Sequence, residues 1–146
     1  MRWKKLAAGP PAIYAVVLAA GDEVATTLAR FVRKQEIEAG ALTAIGAFQK
    51  AVLGYFDWEN KQYSRIAVDE QVEVLSLIGD VALSDGAPSL HMHAVLGKRD
   101  GSTVGGHLLE GHVRPTLEIT LTEPPGPMRK RKDPETGLAL IDLDRS

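Results

Sequence analysis

Apolar residues between positions 41 and 123 recur in the patterns of β-strands, and short polar turns rather than helices separate these stretches. In residues 115–123, Leu117, Ile119 and Leu121 alternate with polar neighbours, as expected of a half-buried strand. Strands joined by short turns pair antiparallel. We therefore predict an α+β fold built on a mainly antiparallel sheet with one main flanking helix. The other predicted strands cover residues 41–56, 61–68, 72–83 and the histidine region.

One segment, residues 21–40, has the spacing of a helix. Its apolar side chains recur every three or four positions, at Val24, Leu28, Phe31 and Val32. Asp22 and Glu23 precede them, where the positive end of the helix dipole favours acidic residues. We expect Gly40 to end this helix.

The N-terminal residues combine positive charges with an apolar run from Ala12 to Ala20, a pattern that resembles a secretory signal. Pro10 and Pro11 interrupt it, and the β-branched stretch from Ile13 to Leu18 is typical of a buried strand. No stretch approaches the ~20 apolar residues of a membrane span. We expect a strand here, and a cytoplasmic protein without a membrane partner.

The composition limits the kinds of catalytic site and partner that the chain can have. The chain has 146 residues, of which 45% are hydrophobic, enough for one globular domain. It has no cysteine, so disulfides, thiolate catalysis and cysteine-based zinc fingers are excluded. The net charge of −2 gives no overall positive field for nucleic acid, so such a partner needs a local patch. We predict one domain in residues 1–123, with 124–146 as a connector and edge segment of that domain.

All four histidines lie between positions 91 and 112. Alternate side chains of a strand share a face, so His91 and His93 project the same way, with Cα atoms about 6.6 Å apart. Two imidazoles so placed can converge on one ion.

The position of His107 depends on the turn that follows the first histidine pair. If Asp100-Gly101 alone forms a two-residue turn, His107 lies opposite Ala94, on the wrong face.

If residues 99–101 form a three-residue loop, with Gly101 in the left-handed conformation, His93 falls directly opposite His107. We predict this register, which gathers three imidazoles on one face. The expected cofactor is zinc or another transition metal, with an open fourth position that is typical of catalytic rather than structural zinc. The predicted ligands are His91, His93 and His107.

The same register assigns Glu110 and His112 to the opposite face, unless Gly111 introduces a bulge, so His112 is a reserve ligand only. Gly105-Gly106 indicates a bulge or a close backbone approach beside the site. An alternative interpretation is three hydrogen-bonded histidines on a polar sheet face or at a subunit interface.

Other catalytic patterns are absent, because no serine lies in a Gly-x-Ser-x-Gly turn and no glycine-rich loop fits a phosphate. Glu73, Asp80 and Glu110 are candidates for a base near a metal, although each is also typical of an exposed strand or turn residue. The aromatic residues between positions 55 and 63 indicate a small hydrophobic cap rather than a base-stacking platform.

Prolines, glycines and a basic run mark an exposed connector from residue 124 onward. The basic run is either a solvated loop or a phosphate-binding patch, and it lacks the glycine of an AT-hook. The apolar stretch 138–144 is expected to add an edge strand or to dock on a neighbouring subunit. The candidate DNA-binding residues are Arg129, Lys130, Arg131 and Lys132.

Residues 72–83, 90–113 and 115–123 resemble the prokaryotic branch of the plant and prokaryote conserved (PPC) domain family, and residues 41–57 look like its earlier segment. The resemblance runs from about Tyr14 to Glu123. It implies an α+β fold assembled as a homotrimer. Plant members carry separate AT-hooks and act as nuclear DNA-binding regulators, and by this association prokaryotic relatives are commonly predicted to bind DNA.

A more distant resemblance is to acetolactate decarboxylase, a zinc enzyme that also uses a His-x-His pair and a later histidine. On that motif the matching positions are His91, His93 and His107. Its catalytic arginine matches no position in this chain.

Two functions remain open from the sequence. The first is a trimeric DNA-binding or regulatory protein with a three-histidine metal site and weak, salt-dependent DNA affinity. The second is a zinc-dependent lyase or hydrolase that acts on a small carbonyl or ester substrate bound at the metal.

Overall fold

The protein folds as nine β-strands and one α-helix in a computed structural model that describes residues 1–146. The predicted fold class, a mainly antiparallel sheet with one main helix, is confirmed, since every strand pair is antiparallel. In chain order the elements are β1 (Arg2–Ala7), β2 (Ala12–Ala19), α1 (Val24–Lys34), β3 (Ala39–Asp57), β4 (Gln62–Val68), β5 (Val72–Ser84), β6 (Ala87–Gly97), β7 (Thr103–Glu123), β8 (Lys130–Lys132) and β9 (Ala139–Ile141).

Seven strands form the main sheet in the order β1-β2-β7-β6-β5-β3-β4, and β7 also pairs with β3. This additional pairing closes β3, β5, β6 and β7 into a ring. The strands β3 and β7 reach around it because they are long, with 19 and 21 residues, and because register shifts bend them. One shift lies near Gly46 and another between Leu108 and Glu110.

The apolar run near the N-terminus forms strand β2, as predicted from its β-branched residues. It pairs with β1 on one side and with β7 on the other. Its alternate residues Tyr14, Val16 and Leu18 are buried in the core. The one helix is not long and apolar enough to cross a membrane.

Helix α1 begins after Glu23, whose carboxylate accepts hydrogen bonds from the backbone N–H groups of Ala25 and Thr26. The apolar face predicted from the sequence is buried against the sheet. The expected stop at Gly40 is wrong. The helix ends at Lys34, because Glu36 adopts a left-handed conformation with φ of 56° and turns the chain, and Gly40 already belongs to β3.

The core consists of one cluster of 27 buried residues, to which β6 contributes Met92, Ala94 and Leu96. Neighbouring residues of a strand point to opposite sides. His91 and His93 therefore point away from the core. We call the side of β3, β5, β6 and β7 that faces away from this core the outer face.

The C-terminal segment, residues 128–146, docks on the end of the sheet rather than projecting as the exposed connector that its composition predicts. Strand β8 pairs with β9, and Leu83 donates its backbone N–H to the Met128 carbonyl at 2.7 Å. A parallel bridge joins Leu83 to Arg129. Residues 124–127 are exposed, as predicted.

Candidate metal centre

The β6–β7 hairpin brings the histidines together. His93 pairs with His107, as the three-residue loop requires. Lys98 donates its backbone N–H to the Ser102 carbonyl at 2.8 Å, and Gly101 closes the loop with φ of 85°. The sequence-based register is therefore confirmed, including the left-handed glycine that few other residues tolerate at this position.

Gly106, next to His107, lies where two backbones approach closely, as the glycine pair indicated. A Cβ atom built on Gly106 would lie 2.7 Å from the Gly54 carbonyl oxygen. The pairing of β6 with β7 continues through this point without a bulge. The glycine thus lets β3 and β6 flank the segment that carries His107.

The three imidazoles converge on the outer face. One ring nitrogen from each lies within 4.8 Å of the others. The Nε2 atoms of His91 and His93 are 3.1 Å apart, and the three ring centroids are 5.0 to 5.4 Å apart. Nitrogen ligands about 2.0 to 2.1 Å from a tetrahedral zinc lie at comparable separations. The arrangement can hold one transition metal ion.

The surroundings of His91 and His107 favour the neutral ring, the form in which imidazole binds metal. Burial, together with the neighbouring His91, His93 and Lys130, lowers the pKa of His107 to about 4. Burial also lowers the pKa of His91, against the opposing effect of Asp80.

One atom of the cluster indicates that the rings fit an ion. His107 Nδ1 is buried and has no hydrogen-bond partner. Leaving a buried ring nitrogen unpaired costs roughly 1–3 kcal/mol. A coordinated ion removes that cost where this nitrogen is the ligand.

Asp80 lies behind the first of these rings. It pairs with His91 across β5 and β6, and its Oδ2 atom lies 3.6 Å from His91 Nδ1. This distance is longer than a hydrogen bond, but it places the carboxylate where it can orient a metal-bound imidazole. Of the three carboxylates considered as bases, Asp80 is the one that lies within 4 Å of a histidine of the converging cluster.

The expectation that the basic run 129–132 is fully exposed is wrong at Lys130. Its side chain is 3% exposed, and its Nζ atom lies 2.6 Å from Asp80 Oδ1. Burying a lysine requires a charge partner, and Asp80 provides one. Lys130 therefore belongs to the surroundings of the histidines and is removed from the candidate DNA-binding patch, of which Arg129, Arg131 and Lys132 remain exposed.

Tyr63 packs against the cluster at His107. Its ring stacks on His107 with centroids 4.7 Å apart and an interplanar angle of 27°. It also packs edge-on against Phe56, which in turn contacts Trp58, so these three residues form the predicted cap, whereas Tyr55 is exposed. The cap thus reaches the candidate metal centre through one residue.

The face that regular alternation predicts for Glu110 and His112 is wrong, because the bulge considered at Gly111 is present just before that residue. A register shift between Leu108 and Glu110 reverses the alternation, so both Leu108 and Val113 face the core. Glu110 therefore lies on the outer face, where it pairs with Arg65. His112 is outside the cluster of three imidazoles, and its Nε2 atom lies 4.0 Å from Glu110 Oε2.

One sequence feature outside the histidine pattern indicates that Asp80 lies beside His91. Asp85-Gly86 forms a two-residue turn in which both residues have positive φ, 51° and 80°. Counting back from this turn pairs Ser84 with Ala87 and Asp80 with His91. The contacts of Tyr63 and Lys130 depend on strand bending and tail docking, for which no local sequence pattern exists.

The comparisons with known proteins agree with this fold. The Plants and Prokaryotes Conserved (PCC) domain, the family also written PPC, matches residues 6–125. A Pyrococcus horikoshii plant- and prokaryote-conserved protein is 37% identical, with 89% of this chain and 90% of that chain covered and a TM-score of 0.84.

Two further structures carry functional descriptions. An Archaeoglobus fulgidus protein named as metal-containing is 32% identical over 97% of this chain and 98% of its own, with a TM-score of 0.83. A Ralstonia eutropha protein described as a candidate DNA-binding protein is 30% identical over 97% of this chain and 95% of its own, with a TM-score of 0.87.

More distant similarities are limited in what they show. α-Acetolactate decarboxylase from Bacillus subtilis is 13% identical over 75% of this chain and 51% of its own, with a TM-score of 0.55, which shows a related fold alone. A Synechococcus protein named bifunctional protein GlmU is 30% identical over 99% of this chain, which spans about a fifth (22%) of that protein.

The family match covers most of the residues, and the solved relatives share the fold. The chain therefore belongs to the Plants and Prokaryotes Conserved domain family.

Proposed function

We propose that this chain is a metal-binding member of the family that holds one zinc ion on His91, His93 and His107. The observation that carries the proposal is the convergence of one nitrogen from each ring within 4.8 Å on a single face. The lowered pKa values of His91 and His107 support it, because neutral rings compete poorly for protons and remain free for metal. The metal-containing Archaeoglobus relative supports it independently.

Zinc is the ion we favour among those that accept imidazole. Three nitrogen ligands and one open position match the tetrahedral geometry of catalytic zinc sites. The chain has no cysteine, and the softer metals that prefer thiolate lack their ligands here.

The proposal is tested by elemental mass spectrometry on protein purified without a histidine tag or a metal-affinity column. We expect one zinc ion for each chain. The variant with both His91→Ala and His93→Ala should retain none. Wild-type protein that lacks any stoichiometric transition metal, even after incubation with zinc and gel filtration, contradicts the proposal.

We further propose a regulatory role in which the protein contacts DNA through the exposed Arg129, Arg131 and Lys132. The candidate DNA-binding protein from Ralstonia, which shares 30% identity, supports this role. The contact is expected to be weak and strongly salt-dependent, because the net charge is −2 and Asp142 lies 3.3 Å from Arg131 Nε.

The proposed assembly is a homotrimer, held together through the outer face. Large apolar side chains lie exposed there, in strands β3, β5 and β6. One of them, Ile78, pairs directly with His93, so the apolar surface adjoins the histidines. Exposed apolar surface of this kind is typical of a protein interface. The four residues are Ile45, Leu75, Ile78 and Val95, which are 42% to 62% exposed.

A second candidate function, a zinc-dependent lyase or hydrolase acting on a small carbonyl or ester, rests on one observation. A pocket of about 190 Å³ opens beside His91 and His107. Zinc bound there supplies an electrophile that polarises a carbonyl group or activates water. Turnover of small esters or keto acids by zinc-loaded protein tests this function, and rates equal to those of the doubly substituted histidine variant contradict it.

A further inference from the structure

The pocket beside the histidines is built by two parts of the chain. His91 and His107 line one side together with Tyr63 and Leu90, and the docked C-terminal segment supplies Lys130 and residues 138–140 on the other. Its volume is about 190 Å³, the size of a small organic molecule rather than of a drug-sized ligand. The pocket thus requires the C-terminal segment to be docked.

Lys130 is the polar group that distinguishes this pocket. Its side chain is 3% exposed and lines the cavity. It forms an ion pair with Asp80, with Nζ 2.6 Å from Asp80 Oδ1, and this contact occupies only one of the three N–H donors of the ammonium. The buried ammonium therefore keeps hydrogen-bond donors available to a ligand.

The net charge of the site determines which charge a bound ligand should carry. No carboxylate lines the pocket. Asp80 offsets the charge of Lys130, and neutral imidazoles leave the charge of a bound divalent ion uncompensated. A small anion is the ligand that balances this charge, since an uncompensated buried charge is strongly unfavourable.

Apart from Ser89, the remaining wall is apolar, formed by Leu90, Leu138, Ala139 and Leu140. We propose that the pocket binds a small aliphatic monocarboxylate, with its carboxylate at Lys130 and the metal ion and its alkyl chain against this apolar wall. This inference rests on the proposed metal site and assigns its ligand class. It also gives Lys130, the buried member of the basic run, a specific task in ligand binding.

The apolar wall predicts a preference among carboxylates. Each additional methylene buried against it should tighten binding about fourfold, so butanoate should bind more tightly than acetate. Chains that exceed the pocket volume should lose this gain. Chloride lacks the alkyl chain and should bind more weakly than butanoate.

The experiment uses the full chain loaded with cobalt(II), whose visible spectrum reports a change in its coordination. The protein is titrated with acetate, butanoate and chloride, after its metal content has been measured. We expect a saturable spectral change that is tighter for butanoate than for acetate.

Two variants and one control locate the site. Lys130→Met should weaken butanoate binding at least tenfold while it retains metal, because a charge-assisted hydrogen bond is lost. Leu138→Trp, which fills the pocket without altering Lys130, should also abolish binding. Lys34→Met removes an exposed lysine that lines no part of the pocket and should leave binding unchanged.

The outcomes separate this inference from the proposed metal site. Protein that retains no cobalt or zinc refutes the metal site, and the ligand assignment falls with it. Protein that retains metal but shows no saturable response to butanoate overturns the ligand assignment alone. Equal affinity of wild type and Leu138→Trp for butanoate, with metal content unchanged, also overturns it.

Discussion

His93 lies directly opposite His107 in the β6–β7 pair, and this relationship depends on a loop of three residues between the strands. A shift of one residue in the pairing would move His107 to the other face of the sheet. The convergence of the three rings is therefore a property of the loop length as much as of the histidines.

The two histidines of β7 should differ sharply in their effect on metal binding. His107→Ala removes one of the three converging nitrogens and should abolish stoichiometric zinc retention. His112→Ala should leave most of it, because His112 lies outside the cluster. Metal content after gel filtration checks both variants, and equal loss from His112→Ala would refute the assigned ligand set.

Asp80 should act on the metal through His91. Asp80→Asn removes the negative charge 3.6 Å from His91 Nδ1, and we expect zinc affinity to fall about 10- to 100-fold. Competition with a chromophoric chelator measures this change. Asp85→Asn, in the exposed turn of the same hairpin, is the matched control and should have no effect. Unchanged affinity in Asp80→Asn would show that the carboxylate does not orient the ligand.

Glu23 should stabilise the fold in a pH-dependent way. Burial alone would raise its pKa, but hydrogen bonds from Thr26, Ala25 and Gly111 outweigh burial, so the pKa of Glu23 is lowered. A lowered pKa gives stability that is present above the unfolded value near 4.5 and is lost as the pH falls through the folded value.

Glu23→Ala should therefore reduce the free energy of unfolding at neutral pH by about 0.5–2 kcal/mol, the usual effect of losing an N-cap. The difference from wild type should shrink on acidification below pH 4.5. Urea denaturation at several pH values measures it, with the exposed Glu38→Ala as the control. A difference that stays constant between neutral and acidic pH would contradict this account of the cap.

DNA retardation, where it occurs, should depend on the exposed basic residues of the tail. Changing Arg129, Arg131 and Lys132 together to Gln leaves Lys130 and its ion pair in place. If all three contact phosphates, the slope of log affinity against log salt should fall by about 2.7. Gel-shift titrations at several salt concentrations measure the slope, and an unchanged slope would exclude the tail from the contact.

The outer face should control assembly. Leu75→Glu places a charge within the exposed apolar surface and should convert a trimer into monomers, as measured by light scattering after gel filtration. Leu143→Glu is the control, because Leu143 is also exposed but belongs to the C-terminal segment. A monomeric wild-type protein, or a trimer that tolerates Leu75→Glu, would contradict the proposed interface.

The sheet and the hairpin register could be predicted because their determinants are local. Alternation defines which residues face the core, and Gly101 fixes the loop that aligns His93 with His107. The same counting from Asp85-Gly86 places Asp80 beside His91.

The rest of the site could not be predicted from local patterns. The bulge between Leu108 and Glu110 lies beside Gly111, which allowed a bulge without requiring one, and it follows from the bending of β7 against β3. Lys130 stands in a basic run that is typical of solvent, and its burial follows from docking of the tail onto Leu83. At both positions, contacts between distant parts of the chain determine the local structure, which the local sequence does not predict.

The most direct test of the central claim is anomalous X-ray diffraction at the zinc absorption edge, on crystals of protein that has never contacted a metal-affinity column. The account predicts one strong anomalous peak for each chain, bounded by the nitrogens of His91, His93 and His107. A map without a peak there, or with the peak elsewhere in the chain, would contradict it.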